Sequence, residues 1–590
     1  MNLINLRPSL TSSLQQHLKA FREGFRHNVA IVGPQGSGKS TLMQQTLRTA
    51  SQDLTVVYCH LQRSSIREFL TGFATAIMRG ALRATPDASS QSLAQSARAI
   101  IPKTVAALGQ LEEEAARLHP TEIFVRALDI LPILCQERQR PCVLVLDEFL
   151  FLEDLGFSQA FQELGKRVMT WPSTLVWVTS SSPWKAREIL RERLHLLFGQ
   201  FELIGLEAVE PEAAIAWMEH EVPATGLAQR QAHMQFLLQW VGHCPWYLGM
   251  ILRRMREVAH LTPRKGTLGT AFEQALWDLL GSADGVLYQA ARARIEHLLT
   301  HRHGVLAREA LLAIAGGART TPSIGQPDRG SRRHLPDALQ LLLEQDMVQR
   351  HGACWIIPDQ CLAFWLHVVH GPRLQQGMMD DDLVVRPRFV AALQGAWKVW
   401  ASAAEQSFVA RMHRLLEQFR DETISLDSKT GRLPRFTTVQ RQSAPEHATY
   451  LIADSHSSRW YYLVGEARVT ESQVGAFEAF CKAQSQKPSR KVVMARDGVD
   501  LNAKLLAKAA NMWVWEPDEV RLLCRLYEQP LIDHLSADHA GPQPRPIDSG
   551  HGRGRFARDI APGESRGPKQ SPELAQEIPQ ALRAAMHRVS

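Results

Sequence analysis

The chain has 590 residues, 45% of them hydrophobic and 22% charged, with a formal net charge of +7. That length excludes a single hydrophobic core, and ordinary domain sizes divide it into about three or four units. No stretch approaches the ~18 apolar residues a membrane-spanning helix needs, and the opening MNLINLRPSL lacks the apolar run of a signal peptide. A cytoplasmic protein without a membrane partner is therefore expected. The positive excess suits a nucleic acid but is too thinly spread to select one. The eight cysteines (Cys59, Cys135, Cys142, Cys244, Cys354, Cys361, Cys481 and Cys524) form no CxxC pair and lack histidines at zinc-finger spacing. They read as buried thiols rather than metal ligands.

The first element with chemistry is Gly33-Pro34-Gln35-Gly36-Ser37-Gly38-Lys39-Ser40, which fits GxxxxGK[ST]. A chain of this length holds about 0.02 such matches by chance. HNVAIVG before it is an apolar strand, and STLMQQTLRTA after it has helical periodicity. Glycines let backbone N–H groups turn inward around phosphates at a helix N-terminus, whose dipole favours anions. Lys39 reaches the β and γ phosphates, the Ser40 hydroxyl ligates Mg²⁺, and Thr41 completes the ATP-binding set.

Residues 82–120 read as a helical insertion ahead of the next strand. That strand, CVLVLDEF (142–149), ends in an acid pair. Asp147 is placed to hold the magnesium, and Glu148 to polarise the attacking water as general base. A further apolar strand, TLVWVTSSS (174–182), ends in hydroxyls. Thr179 and Ser181 are candidates to sense the γ-phosphate, or else to cap the helix that follows. Arg187, Arg191 and Arg193 come next, and Arg193 is the candidate for an arginine finger across a subunit interface. Solvated positions on a polar helix face are the alternative.

VLVLDEFLFL, LVWVTSSS, FELIGLEAVEPEAAIAWM and GHCPWYLGMILRRM, in that order after the P-loop, resemble the archaeal-type ATPases, which also occur in bacteria and lie near the AAA+ and STAND ATPases. The resemblance covers roughly residues 10–375 and includes LLLEQDMVQRHGACWIIPDQCLAFWLHVV, which looks like that family's winged-helix end, with Asp359 before the aromatic pair Phe364 and Trp365. It implies that Gly242 and Pro245 lie beside the adenine in a helical lid; read alone, they are equally a turn between two helices. Residues 285–370 also read independently as three amphipathic helices and a hairpin around His351-Gly352. The polar segment 316–336, with Arg319, Arg329, Arg332 and Arg333, is either a phosphate-backbone contact or a plain surface loop.

From 385 to 535 the order of helices and strands resembles the PD-(D/E)xK nuclease fold. That resemblance places Glu405 on the leading helix AAEQSFVARMHRLLEQF and Glu466-Ala467-Arg468 at the E-x-K position. The sequence departs from the pattern: Thr449 or Tyr450 stands where an aspartate belongs, Asp454 comes late, and Arg468 replaces the lysine. Arginine does not shed a proton and is a poor substitute for a compact amine, so a degenerate nuclease is expected. Glu466 paired to an arginine such as Arg468 or Arg441 is the plainer reading. Beyond 540 the chain is rich in Pro, Gly and Arg, and a disordered tail is expected.

The expected architecture is α/β: a P-loop NTPase core with a parallel sheet (1–208), a helical lid (209–284), a winged-helix domain (285–375), a restriction-endonuclease-like α/β domain (385–535) and a tail (540–590). The expected function is an ATP- and Mg²⁺-dependent, DNA-associated machine or switch, as a homo-oligomer. The alternatives are a signalling scaffold whose ATP-dependent oligomerisation recruits a protein partner, and an ATP-regulated active nuclease.

Overall fold

A computed structural model describes residues 5–530 except 49–52, 84–89, 193–200, 207–208, 222–229, 243, 262–267, 326–328, 377–381, 427–428 and 447. The expected tail and Arg193 lie outside the described residues. So do the side chains of Arg329 and Arg332.

The amino-terminal third is built on five parallel strands: β1 (Asn28–Val32), β2 (Thr55–His60), β3 (Cys142–Asp147), β4 (Thr174–Ser180) and β5 (Phe201–Gly205). Their order across the sheet is β2-β3-β4-β1-β5. Strands β1, β3 and β4 are buried at every residue, which is why they read as unbroken apolar runs rather than alternating ones. Alternation survives in which face each residue serves. Val29, Ile31, Val143, Val145, Leu175 and Trp177 pack toward Leu14, Leu18 and Leu42, from the helices Pro8–Arg22 and Lys39–Arg48. Ala30, Val32, Leu144, Leu146, Val176 and Val178 pack toward Phe73, Phe124 and Phe161 on the other side. The latter face is covered by the helices Ile66–Leu82, Pro120–Leu128 and Ala160–Thr170, with Pro102–Glu114 beyond. The first of these starts on a capping box in which Ser65 and Glu68 satisfy each other's backbone donors.

The middle of the molecule is helical and has one continuous core, from Val209 to Trp400. It joins the helices Pro211–Glu221, Pro245–Leu261, Val286–Leu299, Gly304–Ala315 and Arg329–Glu344 to the hairpin β6 (Gln349–His351) and β7 (Cys354–Ile356). Three expectations need correction here. Part of the segment read as a polar loop is helical: Thr321–Ile324, and Arg329 onward, where Pro336 is accommodated inside the helix. The helix Asp382–Ala404, grouped in the sequence with the last third, instead buries Val385, Phe389, Leu393 and Trp400 in the middle core. The anticipated single helix over 403–419 is also broken. Glu405 follows the end of Asp382–Ala404, and a new helix, Phe408–Glu417, starts where the Ser407 side chain accepts from the Ala410 N–H.

The last third holds the hairpin β8 (Glu422–Leu426) and β9 (Lys429–Leu433), then β10 (Thr438–Ser443), β11 (Thr449–Asp454), β12 (Arg459–Gly465), β13 (Arg490–Ala495) and β14 (Trp513–Trp515). Strands β10 to β14 form a sheet in sequence order, antiparallel up to β12 and parallel after it. Tyr462, Val464, Val492 and Met494 face the helices Phe408–Glu417 and Pro517–Leu526. Tyr461, Leu463, Val493 and Ala495 face Glu471–Ala483 and Leu501–Ala509. The hairpin β6–β7 is not free: the Ala353 N–H donates to Thr423 O at 2.8 Å, and a Cβ at Gly352 (φ +70) would lie 2.5 Å from that oxygen. No helix among the described residues is long and apolar enough to cross a membrane.

Candidate functional site

The first sheet changes direction between β1 and β4. The chain leaves β1 for the far edge at β2, and leaves β4 for β5 on the opposite side. In open α/β sheets ligands bind at the carboxyl ends of strands flanking such a point; the glycine-rich loop leaves β1 there, and the acid pair ends β3, the next strand beyond β4.

Residues 33–38 form a closed turn from β1 to the helix Lys39–Arg48. The Gly33 N–H is anchored to Ser180 O at 3.2 Å, and the Ser37 N–H to Pro34 O at 3.1 Å. Gly36 and Gly38 have φ of +78° and +90°, where a side chain is strained. Space forbids one at Gly36 as well, because a Cβ would sit 2.9 Å from Trp246 Cβ and 3.1 Å from Cys244 Sγ. The Ser37 hydroxyl is buried and has no hydrogen-bond partner among the described residues. Glycines with no room for side chains, an unsatisfied hydroxyl and the unpaired amides of a helix's first turn suit a phosphate.

Lys39 is 5% exposed. Its ammonium donates to Gly33 O (3.0 Å), Pro34 O (3.2 Å) and Ser181 Oγ (2.8 Å), and lies 3.7 Å from Glu148 Oε1. Burial lowers its pKa, against the opposing pull of Glu148 and Asp147.

The acid pair is positioned by register. His60 pairs with Asp147 across β2 and β3, and Leu146 pairs with Val178 across β3 and β4, so Thr179 falls level with Asp147. Tyr58, two residues back from His60, lies on the same face of β2. Asp147, 2% exposed, thus accepts from Tyr58 Oη (2.6 Å), Ser40 Oγ (3.0 Å) and the Thr179 hydroxyl, with His60 Nδ1 at 3.1 Å. Burial pushes its carboxyl up. The hydrogen bonds from Thr179, Tyr58, Ser40 and His60 outweigh that, and its pKa falls below the usual carboxylate value. An ionised carboxylate beside a helix-start hydroxyl is the oxygen-only donor set that magnesium takes.

Glu148 has left-handed backbone angles, φ 60° and ψ 51°. Such strain in a non-glycine residue costs about 1–3 kcal/mol and clusters at functional sites. Its N–H donates to Thr179 Oγ1 at 3.1 Å, and its carboxylate accepts from the Ser181 N–H at 2.8 Å and from the Ser181 hydroxyl. Thr179, fully buried, therefore braces both acids. Ser181 links Glu148 to Lys39.

The structure brings together Lys39, Ser40, Asp147, Glu148, Thr179 and Ser181. Pro245 also approaches: a Cβ at Gly38 would be 3.7 Å from its Cγ. The Trp246 N–H donates to Gly36 O at 3.3 Å, so the helix Pro245–Leu261 begins on the loop. Arg187 and Arg191 are exposed on the helix Pro183–Glu192.

Sequence reading missed Arg7, Tyr58 and His60. Arg7 is buried, with its guanidinium 2.9 Å from Ser37 O. Burial lowers its pKa, with Cys244 and Glu210 acting against the shift. The local sequence signal for Tyr58 and His60 is two polar residues at a spacing of two at the end of β2, and it does not say that they will face the acid-bearing strand.

Of the nuclease-like residues, Asp454 and Glu466 are held apart. Asp454 pairs with Arg459 at one end of the β11–β12 ladder and is salt-bridged to it. Glu466 lies past the other end of β12, about 24 Å along the strand at ~3.4 Å per residue. Arg468 is bound to Asp500 at 3.0 Å, and Glu405 lies in the turn after Asp382–Ala404. Among the described residues, the group whose His, Cys, Asp or Glu ligand atoms lie within 4.8 Å of one another is His303, His334 and Asp337. None of Glu405, Asp454 and Glu466 is in it.

Residues 6–171 match the AAA ATPase domain. No curated protein matches the chain. Among solved structures it is similar to a Walker-type ATPase of Pyrococcus abyssi, at 15% identity and a TM-score of 0.43 over 62% of this chain and 96% of that one. The ORC2 protein of Aeropyrum pernix, in ADPNP–ADP complexes, is 14% identical with a TM-score of 0.40, over 67% and 97%. The Aeropyrum pernix ORC1 protein, in complex with DNA, is 16% identical with a TM-score of 0.34, over 64% and 96%. The matched residues contain the loop and the acid pair, β4 with Thr179 and then Ser181 follow just after them, and the chain is an ATPase.

Proposed function

We propose that the chain is an ATP-controlled, DNA-associated switch, in which Mg·ATP sits between the loop 33–40 and the pair Asp147–Glu148. The observation that carries this reading is Lys39, Ser181 and Glu148 joined in one hydrogen-bonded chain beside a carboxylate kept ionised. Within the loop Gly33 to Thr41, whose Pro34 has no N–H and whose Gly33 and Ser37 N–H groups bond Ser180 O and Pro34 O, the remaining backbone N–H groups hold the phosphates, and Lys39 exchanges its carbonyl contacts for phosphate oxygens. Ser40 and Asp147 would hold magnesium, which would neutralise developing phosphate charge. Glu148, released from Ser181, takes the proton of the attacking water. Ser181 then reports the γ-phosphate, while Thr179 keeps the two acids in place.

Two contacts support transmission to the middle region. Asp346, in the turn before β6, accepts from Ser182 Oγ (2.7 Å) and the Trp184 N–H (2.9 Å), directly after Ser181. Asp359 accepts from Tyr247 Oη and Arg294, both at 2.9 Å, and ties the helix that starts on the loop to the segment after the hairpin. A change at Ser181 or Gly36 therefore acts on elements with direct bonds to the middle core. We read residues 285–375 as a winged helix serving chiefly as transmitter, because its wing is covered by β8. Exposed Arg333 on Arg329–Glu344 leaves that helix as the face toward DNA.

The test is ATP turnover by the purified chain with and without duplex DNA across a salt series, with Lys39→Ala as control. Turnover that rises with DNA and loses the rise steeply with salt supports the reading. Turnover indifferent to DNA, with ATP-dependent assembly, would shift it to a protein-recruiting scaffold.

A further inference from the structure

A second cleft, lined by none of the loop and acid-pair residues, lies where the middle core meets the last third. It has two lobes. One, of about 680 Å³, is lined by Arg319, Arg420 and Arg435 with Glu417 and Gln418. The other, of about 460 Å³, is lined by Trp240, Trp355 and Trp400 with Gln360 and Val399. The lobes share Arg319, Glu528 and Gln529. Each falls in the size range of small-molecule sites, roughly 300–1,000 Å³.

The chemistry of the lobes is complementary to one kind of molecule. Three arginines from separate segments line the polar lobe, and guanidiniums are the side chains best matched to phosphate oxygens. Arg319 stands at the junction, its guanidinium carbon 5.1 Å from the Tyr527 ring centre, and one of its buried terminal nitrogens has no hydrogen-bond partner. A buried N–H without an acceptor is costly and calls for an explanation. A turn of the Arg319 side chain into the cleft would bring that nitrogen to a phosphate acceptor. The neighbouring lobe is lined by part-exposed Trp240 and by Trp355 and Trp400, each 5% exposed, an apolar wall against which a planar base can lie. Glu417 and Glu528 can accept from ribose hydroxyls.

We propose that this cleft binds a nucleoside phosphate as an effector, separately from the ATP that is hydrolysed. Its base enters the tryptophan lobe and its phosphates meet Arg319, Arg420 and Arg435. Arg319 and the tryptophans belong to the middle region, whereas Arg420, Arg435 and Gln529 belong to the last third. Occupancy therefore fastens the one to the other.

Equilibrium dialysis with radiolabelled ADP as the probe tests this, using the full chain in four forms: wild type, Lys39→Ala, Arg420→Ala/Arg435→Ala, and the triple variant. Both arginines are exposed, so their replacement spares the fold. The expected result is two equivalents of ADP on wild type and one on each of the first two variants. In the triple variant, affinity at the cleft falls at least tenfold. A single equivalent on wild type, or a second equivalent unaffected by the arginine replacements, overturns the proposal. Loss of the P-loop reading shows separately, as ADP uptake unchanged by Lys39→Ala.

Discussion

The molecule contains two five-stranded sheets with helices on both faces, and only one gathers its polar residues. In the first, parallel register stacks His60, Asp147 and Thr179 level across three strands, and β1 brings the loop to the same edge. In the second, antiparallel pairing of β11 with β12 sends Asp454 to the opposite end from Glu466. Acidic residues at strand ends are common to both. Only parallel strands put all their carboxyl ends on one edge, and that is what concentrates charge and hydroxyls into a site.

The comparison is sharpened first by Thr179→Val. It removes a donor to Asp147 and strands the Glu148 N–H, costing roughly 1–3 kcal/mol for the unsatisfied group. Denaturant melts should show that loss, together with a fall in ATP turnover of about tenfold or more. A variant as stable and active as wild type would mean that the row across the strands is decorative. Asp346→Ala should have a smaller effect, about 1 kcal/mol for a lost helix cap, with the basal rate largely kept. Its signature is a weaker response of turnover to DNA. In the second sheet Glu466→Ala should change nothing: plasmid incubated with Mg²⁺ or Mn²⁺ stays uncut by both proteins. Cutting by wild type that the variant abolishes would restore a nuclease to the account.

Much of the first sheet was legible because its strands are buried on both faces and its loop has a spacing that sterics dictate. Gly36 and Gly38 announce their positive φ, and Asp147–Glu148 follow a run that can only be a central strand. The row containing Tyr58 and His60 was not legible, because register between β2 and β3 is set by packing across some 80 residues of intervening helix. Arg7 was hidden for a related reason: nothing local says that an arginine near the start will fold back onto Ser37. The last third was read by analogy of element order. That suggested its central strands but not the β8–β9 hairpin, nor that Trp400 would draw the helix before it into the middle core. Ser407 was the missed punctuation, a helix-capping residue inside a segment read as one helix.

The central claim is that Glu148 activates water for an ATP held by Lys39 and by a magnesium on Ser40 and Asp147. Single-turnover hydrolysis of labelled ATP by wild type and Glu148→Gln, with ATP affinity measured on the same samples, tests it most directly. The account predicts a drop in the chemical step of about 10²–10⁴-fold with ATP affinity retained. Hydrolysis undiminished in Glu148→Gln, or no ATP uptake by folded wild-type protein, would contradict it.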